Sequence, residues 1–348
     1  AVNGSIHSST GSTFTSRVSG LTTSAKVRFL TYLNTVAAIN GTDAERSSAD
    51  GVTWVTTGGN LDIGNMPLSS VACTLNTRVV CIGDSSNPDT ASLSSLMSAG
   101  VISWTSGNKT VQVSPNDGGG SLTSCVSNGR LVLFFKQRGL YRYDDNELQR
   151  IGYVGTPSHE SVVTDDNGIT YFFGQGANGI GFYRTQGGFP EKISRPITRI
   201  MEAISPSYYG TVSGGTDGNR IYWSIGSITW DGVTYTNASV VYSVADKQWT
   251  IFSHADRFQV YSQYIDSNSN ITIVAGDTDG DVQTYNSGTT DNETAISSEA
   301  ELSSVVFTTR GRTKTISEVV VMAEHFQGLN LGFRIDRDKV VQIGSVTD

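Results

Sequence analysis

A short unit, an asparagine followed by a β-branched or aromatic run, recurs six times along this chain. Successive asparagines lie 39 to 52 residues apart, at Asn34, Asn76, Asn128, Asn167, Asn219 and Asn270. Asparagine tolerates the left-handed backbone of a tight turn, and the run that follows it suits a pleated strand. One unit every roughly 40 to 50 residues is typical of a four-stranded propeller blade. The spacing therefore predicts an all-β protein, a six-bladed β-propeller.

Further strands accompany these units. We interpret each asparagine-led run as the opening strand of its unit. In the last four units a second strand with an aromatic residue follows, at 139–143, 180–184, 240–243 and 281–285. In three of them a polar turn and a third strand come next, at 147–151, 191–193 and 247–251. Two adjacent antiparallel hairpins per unit make a blade. The first two units are less regular, and 93–97 is expected to be a short helix.

The repeat occupies only the middle of the chain. Residues 1–25 are rich in Ser, Thr and Gly and are expected to form an N-terminal arm or leading strand, and 26–296 to form the propeller of about six blades. Beyond it, runs at 304–308, 316–322 and 329–335 are typical of strands, the last two with alternating apolar and polar residues. We therefore expect a small antiparallel β-sheet module over 297–348, with the abrupt ending of a truncated domain.

Charge and cysteine content limit the functions of the chain. The net charge is −8, charged residues make up 16% of the 348 residues, and no basic run is present. Nonspecific nucleic-acid binding needs clustered Lys and Arg, so it is disfavoured. No stretch approaches the roughly 18 apolar residues of a membrane span. Cys73, Cys81 and Cys125 lack a Cys-x-x-Cys motif and are expected to be buried free thiols, with a Cys73–Cys81 bridge as the alternative.

One hairpin motif resembles the Asp-box of sialidase-type propellers. It comprises Ser48, Asp50, Gly51, Thr53 and Trp54, and residues 231–235 look like a partial second copy. In an Asp-box the aspartate accepts backbone hydrogen bonds and the tryptophan packs between blades, so the motif is structural. A sialidase also needs an arginine cluster for the substrate carboxylate, a tyrosine nucleophile with a glutamate, and an acid aspartate. The arginines here are scattered, which disfavours glycosidase activity.

Two sets of residues have the types that bind metals. Asp277, Asp279 and Asp281 suggest a calcium loop, but the twelfth position, which an EF-hand fills with a bidentate acid, is Gly288. A polar hairpin turn is therefore the preferred interpretation, with a loosely bound surface ion as the alternative. The histidines lack the spacing of a zinc site and are expected to be solvated or locally hydrogen-bonded: they are His7, His159, His254 and His325.

No catalytic or cofactor-binding residue can be assigned from the sequence. Ser158, His159 and Glu160 are consecutive, and on a strand such neighbours point to opposite faces, so they do not make a catalytic triad. The Gly-rich stretches at 116–120 and 174–176 do not lie between a strand and a helix, so phosphate binding is disfavoured. We expect no catalytic residue, no cofactor and no metal ligand, and a protein that is not an enzyme.

The order of the motifs resembles that of a family of tail nozzle, or tail-tube hub, proteins from short-tailed bacteriophages. The resemblance covers roughly residues 26–336 and includes a strand followed by Lys136 and then Gly139-Leu140-Tyr141. The other matching segments are 27–32, 39–43, 50–54, 179–183, 193–197, 246–249, 276–280, 288–292 and, with Lys314 before a strand, 308–334. Each motif is degenerate, and the ordered set is moderately specific.

The resemblance implies a structural virion protein, assembled in the host cytoplasm. Such proteins form homohexameric rings below the portal and adaptor, continue the DNA channel and hold tail fibres or spikes. The family offers no catalytic residues to carry over. Since the chain is acidic and has no basic patch, it offers few partners for phosphates. We therefore expect DNA to pass without specific binding through a lumen that is neutral or acidic, and we expect no membrane contact.

Two alternatives remain open at this level. The first is a carbohydrate-binding or glycan-cleaving propeller that acts as a receptor-binding tail protein. The second is a bacterial propeller scaffold with no role in a virion. The insertions at 84–98 and 224–237 are expected to be exposed loops and are candidates for partner contacts, because binding loops lie on rigid scaffolds.

Overall fold

The computed structural model describes residues 3–9, 13–177, 179–265 and 271–285, together with four short strands between 290 and 346. The chain divides into two compact units, Ala1–Ile296 and Ser297–Asp348. The first begins with an antiparallel hairpin of β1 (Ile6–Ser9) and β2 (Phe14–Val18). No helix among the described residues is long and apolar enough to span a membrane.

Six antiparallel sheets follow the hairpin in chain order, and we call them blades 1 to 6. Blade 1 has β3 (Arg28–Tyr32), β4 (Thr35–Ile39) and β5 (Arg46–Ser48). Blade 2 has β6 (Val71–Leu75), β7 (Arg78–Ile82), β8 (Thr90–Leu93) and β9 (Lys109–Gln112). Blade 3 has β10 (Leu122–Asn128), β11 (Leu131–Lys136), β12 (Leu140–Tyr143) and β13 (Leu148–Gly152).

The remaining blades continue this order. Blade 4 has β14 (Val154–Gly155), β15 (Val163–Thr164), β16 (Thr170–Gly176), β17 (Gly179–Thr185) and β18 (Glu191–Lys192). Blade 5 has β19 (Ser213–Thr216), β20 (Arg220–Trp230), β21 (Val233–Ser243) and β22 (Trp249–Phe252). Blade 6 has β23 (Phe258–Ile265), β24 (Ile271–Asp277) and β25 (Val282–Thr284). The prediction of a six-bladed β-propeller is confirmed.

Short helices and hairpins connect or follow the blades. The helix α1 is Thr198–Ala203, and the short 3-10 helices are Ile63–Asn65, His159–Ser161, Arg195–Ile197 and Pro206–Thr211. Beyond blade 6, β26 (Thr290–Asp291) pairs with β27 (Thr294–Ala295). In the second unit, β28 (Leu329–Arg334) pairs antiparallel with β29 (Val340–Val346). The strands expected at 304–308 and 316–322 lie outside the described residues.

The asparagine-led strand is the second strand of each blade, not its opening strand. Each blade begins with an earlier strand, and these first strands contact one another from blade to blade: β3 with β6, β6 with β10, and β19 with β23. They therefore lie nearest the axis of the propeller. The asparagine-led pattern does not mark them, because it begins at the turn that follows each first strand. Some are also short and polar, as in Ser213–Thr216.

The turns before the second strands are built in two ways. Asn34 and Asn76 have the predicted left-handed conformation, with φ of 54° and 52°. In blades 3 and 4 the following glycines, Gly129 and Gly168, take the positive φ instead. In blade 4 a carboxylate adds to the turn, since Asp165 Oδ1 accepts the N–H groups of Asn167 and Ile169. Aspartates are common in such turns because their side chains bond to backbone two residues on.

The cores of the propeller lie between successive blades. Phe134 packs into the core shared with blade 2, and the next residue, Phe135, into the core shared with blade 4. In the same way, Tyr222 packs into the core shared with blade 6, and Trp223 into the core shared with blade 4. Consecutive residues on a strand point to opposite faces, so a fully apolar run allows a blade to pack on both neighbours.

Three local expectations are wrong. Residues 93–97 do not form a helix, because Leu93 ends β8 and is fully buried. The expected exposed loop at 84–98 therefore contains a strand of blade 2. The expected loop at 224–237 is instead a hairpin, because β20 and β21 continue past the blade with two register shifts.

Candidate functional site

An ion cluster joins several blades at the axis of the propeller. Arg28 at the start of β3 places Nε 2.8 Å and Nη2 2.6 Å from Oε1 of Glu160, which lies 132 residues further along the chain. Nη1 of Arg28 donates to the carbonyl oxygen of Ser70 at 2.8 Å, just before β6. Lys26 lies 3.7 Å from the same Glu160 oxygen. A single arginine thus connects blade 1 to blades 2 and 4.

Hydrogen bonds from serine hydroxyls to backbone carbonyl oxygens link the remaining blades, 4 to 5 and 5 to 6, near the axis. Ser158 Oγ donates to the carbonyl oxygen of Val212 at 2.7 Å, which links blade 4 to blade 5. Ser213 Oγ donates to the carbonyl oxygen of Phe258 at 2.8 Å, which links blade 5 to blade 6. These groups meet because each lies at or near the start of a first strand, next to the axis.

The electrostatics of the cluster keep Glu160 charged and His159 neutral. Burial alone would raise the pKa of Glu160, but Arg28 and Lys26 outweigh it and hold that pKa below its usual range. Burial lowers the pKa of His159 to about 4, with Arg28 adding to the effect. Burial also lowers the pKa of Lys26, against the attraction of Glu160. The cluster is therefore a permanent ion pair beside an uncharged imidazole.

The Ser158-His159-Glu160 sequence is not arranged for nucleophilic catalysis. His159–Ser161 is a short 3-10 helix rather than a strand, which corrects the expected conformation. The Ser158 hydroxyl donates to a backbone oxygen, and His159 Nδ1 lies 2.8 Å from Oγ of Ser124 on β10. Each polar group is thus used to hold the blades together.

A second set of charges links blades 2 and 3. Lys136 at the end of β11 is 1% exposed, and its Nζ lies 3.0 Å from Asp89 Oδ1 and 3.2 Å from Asp117 Oδ1. The same Nζ donates to the carbonyl oxygen of Ser114 at 2.9 Å. Asp117 belongs to the Gly-rich stretch at 116–120, so that stretch contributes a carboxylate to the ion pair with Lys136. Lys136 is the lysine of the motif that resembles the nozzle family.

The predicted turn motifs have the geometry of turns. Asp50 Oδ1 accepts the N–H groups of Thr53 at 2.7 Å and Val52 at 2.8 Å. These donors hold the pKa of Asp50 well below its usual range. This confirms the Asp-box turn, whereas Trp54 packs on blade 1 and the N-terminal hairpin. The expected partial copy at 231–235 is a two-residue turn, with Asp231 and its following glycine at φ of 52° and 79°.

The aspartate-rich segment after β24 is also a hairpin turn, as preferred. Asp277 Oδ1 accepts the N–H groups of Asp279, Gly280 and Asp281 at 2.9 to 3.0 Å. Its Oδ2 accepts from Gln283 Nε2 at 2.9 Å. Both oxygens of Asp277 are thus committed to the turn. Within the described ranges, no three side chains of the His, Cys, Asp or Glu types come together as metal ligands would.

The described cysteines are buried, and the described histidines are exposed or locally hydrogen-bonded, as expected. Cys73, Cys81 and Cys125 are free and buried, as expected, and burial raises the pKa of Cys81 and Cys125. His254 Nε2 lies 3.2 Å from the Tyr285 hydroxyl, and His7 is exposed. His325 lies outside the described residues.

Blade 6 exposes an apolar face. Val260 pairs with Gly276 and Gly276 with Val282. Tyr264, four residues after Val260 on β23, lies on the same face, with Ser262 between them. The side chains of Val260, Tyr264 and Val282 are 49%, 58% and 53% exposed. The opposite face packs against blade 5. The corresponding outer face of blade 1, at Ala38, is covered by the N-terminal hairpin.

A groove of about 420 Å³ lies beside blade 4. Its walls include Tyr153 and Phe189, which are 70% and 81% exposed, and the buried Tyr183. Lys192 and Arg195 also line it. In the sequence, this groove is indicated only by the glycines that precede its two exposed aromatic residues.

The ion cluster at the axis cannot be predicted from the sequence, because Arg28 and Glu160 are 132 residues apart.

Comparisons with known proteins return propellers of low sequence identity. No protein-family model matches the chain, and no curated protein sequence matches it. Two structures of the extracellular domain of BT4673 from B. thetaiotaomicron, described as a one-component and as a hybrid two-component system, are similar to 76% and 78% of this chain. Both are 14% identical, with TM-scores of 0.46 and 0.47, and the matched part is 33% of their length.

A third similar structure is YCF48 bound to a D1 peptide. It is 11% identical over 75% of this chain and 78% of its own, with a TM-score of 0.47. The chain spans about a third of the length of the BT4673 domain. Since one fold hosts many functions, likenesses of this strength say nothing about activity.

Proposed function

We propose that this chain is a non-enzymatic structural protein of a phage tail, a nozzle or hub subunit that assembles into a homohexameric ring. In this role the ring continues the DNA channel below the portal and adaptor, and docks fibres or spikes. The ordered motifs over 26–336 are the reason for naming this family. Lys136, the charged residue of its central motif, has a buried structural role, which fits a protein that acts through its shape.

The exposed apolar face of blade 6 carries the proposal that the chain works by contact with other subunits. The opposite face of the same blade packs against a neighbouring blade, whereas Val260, Tyr264 and Val282 are about half exposed. Exposed apolar side chains on one face of a sheet are a candidate for a protein-contact site. A ring needs such a heterologous surface, because each subunit presents one face to its neighbour and a different face to the next.

The use of charged side chains also supports a scaffold. Arg28 and Glu160 join the blades at the axis, and Lys136 joins blades 2 and 3. These groups connect the blades to one another, which favours a propeller that keeps its shape. A rigid subunit suits a tail component that must keep its shape while it contacts DNA and partner proteins.

The oligomeric state tests this proposal. We expect the purified protein to elute as a hexamer in size-exclusion chromatography with light scattering, and negative-stain images to show sixfold rings. Val282→Glu should shift the protein to smaller species, because a charge on the blade 6 face opposes its burial. Val233→Glu, at a valine that is 47% exposed on the β20–β21 hairpin, is the matched control and should leave the ring intact.

Other outcomes contradict the proposal. A protein that stays monomeric at high concentration would contradict ring formation. A Val282→Glu variant that still forms rings would show that the blade 6 face is not the interface. A monomer that cleaves a sialoside supports the glycan-cleaving alternative instead. Failure to sediment with phage particles in a caesium gradient excludes the role in a virion and leaves the bacterial scaffold.

A further inference from the structure

The groove beside blade 4 has the size and lining of a small-ligand site. Ligand sites are typically concave, of about 300 to 1,000 Å³, and lined by aromatic side chains with a few polar groups. This groove, of about 420 Å³, is lined by three aromatic side chains and two cations: Tyr153, Tyr183, Phe189, Lys192 and Arg195. The roles proposed above for the axis and for blade 6 do not involve it.

Glycines shape the floor of the groove. A Cβ at Gly174 would lie 2.7 Å from a ring carbon of Tyr183, so only glycine allows that ring to lie against β16. A Cβ at Gly176 would lie 2.8 Å from the carbonyl oxygen of Tyr153. The Gly174-Gln175-Gly176 stretch therefore lets two tyrosines approach the strand closely.

The tyrosines are held in place before any ligand binds. The ring of Tyr183 stacks on Phe172 with centroids 5.6 Å apart. The guanidinium of Arg150 lies 4.0 Å above the Tyr153 ring and 3.6 Å from Asp117 Oδ2. One face of Tyr153 is thus covered by Arg150, and its high exposure belongs to the other face. Rings fixed in this way lose little entropy when a ligand stacks on them.

The groove is positively charged in an acidic protein. Lys192 Nζ lies 6.0 Å from the Tyr183 ring centroid and donates to the carbonyl oxygen of Ile180 at 2.8 Å. Burial and repulsion from the nearby Arg195 lower the pKa of Lys192, whereas Glu202, which does not line the groove, acts in the opposite direction. The described residues that line the groove include no carboxylate. An anionic group placed between Lys192 and Arg195 would relieve this repulsion.

We propose that this groove binds an acidic saccharide, one whose sugar ring carries a carboxylate. The C–H face of a pyranose matches the exposed faces of Tyr153 and Phe189, and the carboxylate accepts charge-assisted hydrogen bonds from Lys192 and Arg195. A purely apolar ligand would leave the two cations unpaired. A neutral sugar would use the aromatic walls but not the charges. This site is independent of ring formation.

The test compares two ligands that differ only in the oxidation of one carbon. Binding of a glucuronic-acid-containing disaccharide and of its glucose-containing counterpart is measured by titration calorimetry and saturation-transfer NMR on the full chain. We expect the acidic disaccharide to bind about tenfold more tightly or better, the usual effect of one or two hydrogen bonds to a charged group. Phe189→Ala should weaken binding of both, and Arg195→Gln that of the acidic one alone.

Matched controls separate the groove from general surface effects. Phe14→Ala removes an exposed aromatic of the N-terminal hairpin, and Arg199→Gln removes an exposed cation of α1 that does not line the groove. Both should bind as the unmodified protein does, and unchanged melting temperatures should show that all four variants fold. Equal affinity for the two disaccharides, binding unaffected by Phe189→Ala, no binding of either at millimolar concentration, or binding of an acidic peptide in place of the saccharide would each overturn the proposal.

Discussion

Single ionisable side chains in this protein connect parts of the chain that are far apart in sequence. His159 is one of them: it is half-buried at the axis, 2.8 Å from Ser124 on the neighbouring blade, and it lies beside Arg28 and Glu160. An imidazole in such a place is stable only while it is uncharged, because burial and a nearby guanidinium both oppose protonation. The pH dependence of stability should therefore report on this residue.

We predict that His159 makes the protein less stable in mild acid. In the unfolded chain it takes up a proton near its ordinary pKa of 6.5, whereas the pKa in the folded protein is about 4. Between these values the unfolded state binds more protons, so stability falls as the pH drops from about 6.5 towards 4. Between pH 7 and pH 5 this group should lower the free energy of unfolding by about 2 kcal/mol.

Urea unfolding at pH 7 and pH 5 measures this effect. His159→Gln keeps a polar group beside Ser124 but does not titrate, so the variant should lose less stability than the wild type over this interval. His7→Gln, at an exposed position, is the control and should follow the wild type. An equal pH dependence of His159→Gln and wild type would contradict the prediction.

At the scale of elements, the β20–β21 hairpin differs most from expectation. Ile228 is 2% exposed, and Trp230 and Tyr235 pack against the same core as α1. The hairpin bends at Gly226, where the register shifts on both sides and φ is +79°. A Cβ at Gly226 would lie 2.7 Å from the ring of Tyr208. The element is therefore fixed by a close approach that only glycine permits.

A pair of glycine substitutions tests this explanation. Gly226 and Gly232 both have φ of +79°, but nothing lies within 4 Å of a Cβ at Gly232. Alanine should cost about 1 kcal/mol at either position for the left-handed backbone. Gly226→Ala should cost a further 1 to 3 kcal/mol or so, because Tyr208 must move. Denaturant unfolding of the two variants measures the difference in their free energies of unfolding. Equal losses of stability would contradict the explanation, because they would show that Tyr208 moves without cost.

At the scale of the whole molecule, stability depends on contacts between blades. Blades that follow one another along the chain share an apolar core, and Lys136 adds a buried charge link between blades 2 and 3. The ammonium group is almost inaccessible to water, and Asp89 and Asp117 compensate its charge. Removing one member of such a set leaves the others uncompensated in a place of poor solvation.

Lys136→Met should lower the free energy of unfolding by about 3 kcal/mol, because Asp89 and Asp117 lose their cation. Adding Asp89→Asn and Asp117→Asn to this variant should recover part of the loss. Arg130→Met, at an exposed position just before the same strand, should have little effect. A Lys136→Met variant as stable as the wild type would mean that the link contributes nothing. Urea unfolding monitored by tryptophan fluorescence distinguishes these results.

The sequence by itself determined the blades and their turns. Alternation along strands and the choice of Asn, Asp or Gly at turns are local properties, so six units, their order and the Asp50 and Asp277 turns were readable without coordinates. Local patterns do not distinguish the first strand of a blade from a loop when that strand is short and polar. The pattern therefore predicts the Asn-led strands as opening strands, a helix at 93–97, and loops at 84–98 and 224–237, where the structure has β8 and the β20–β21 hairpin.

Only the tertiary structure decided which side chains meet. Arg28 and Glu160 come together because blades 1 and 4 face each other across the axis, which no spacing in the sequence encodes. Lys136 contacts Asp89 and Asp117 on segments that precede its own blade. The groove forms where the link from blade 3 to blade 4 meets the β17–β18 loop and the segment after β18. The physical reason is that strand periodicity fixes which way a side chain points, whereas the packing of one blade on another fixes what it touches.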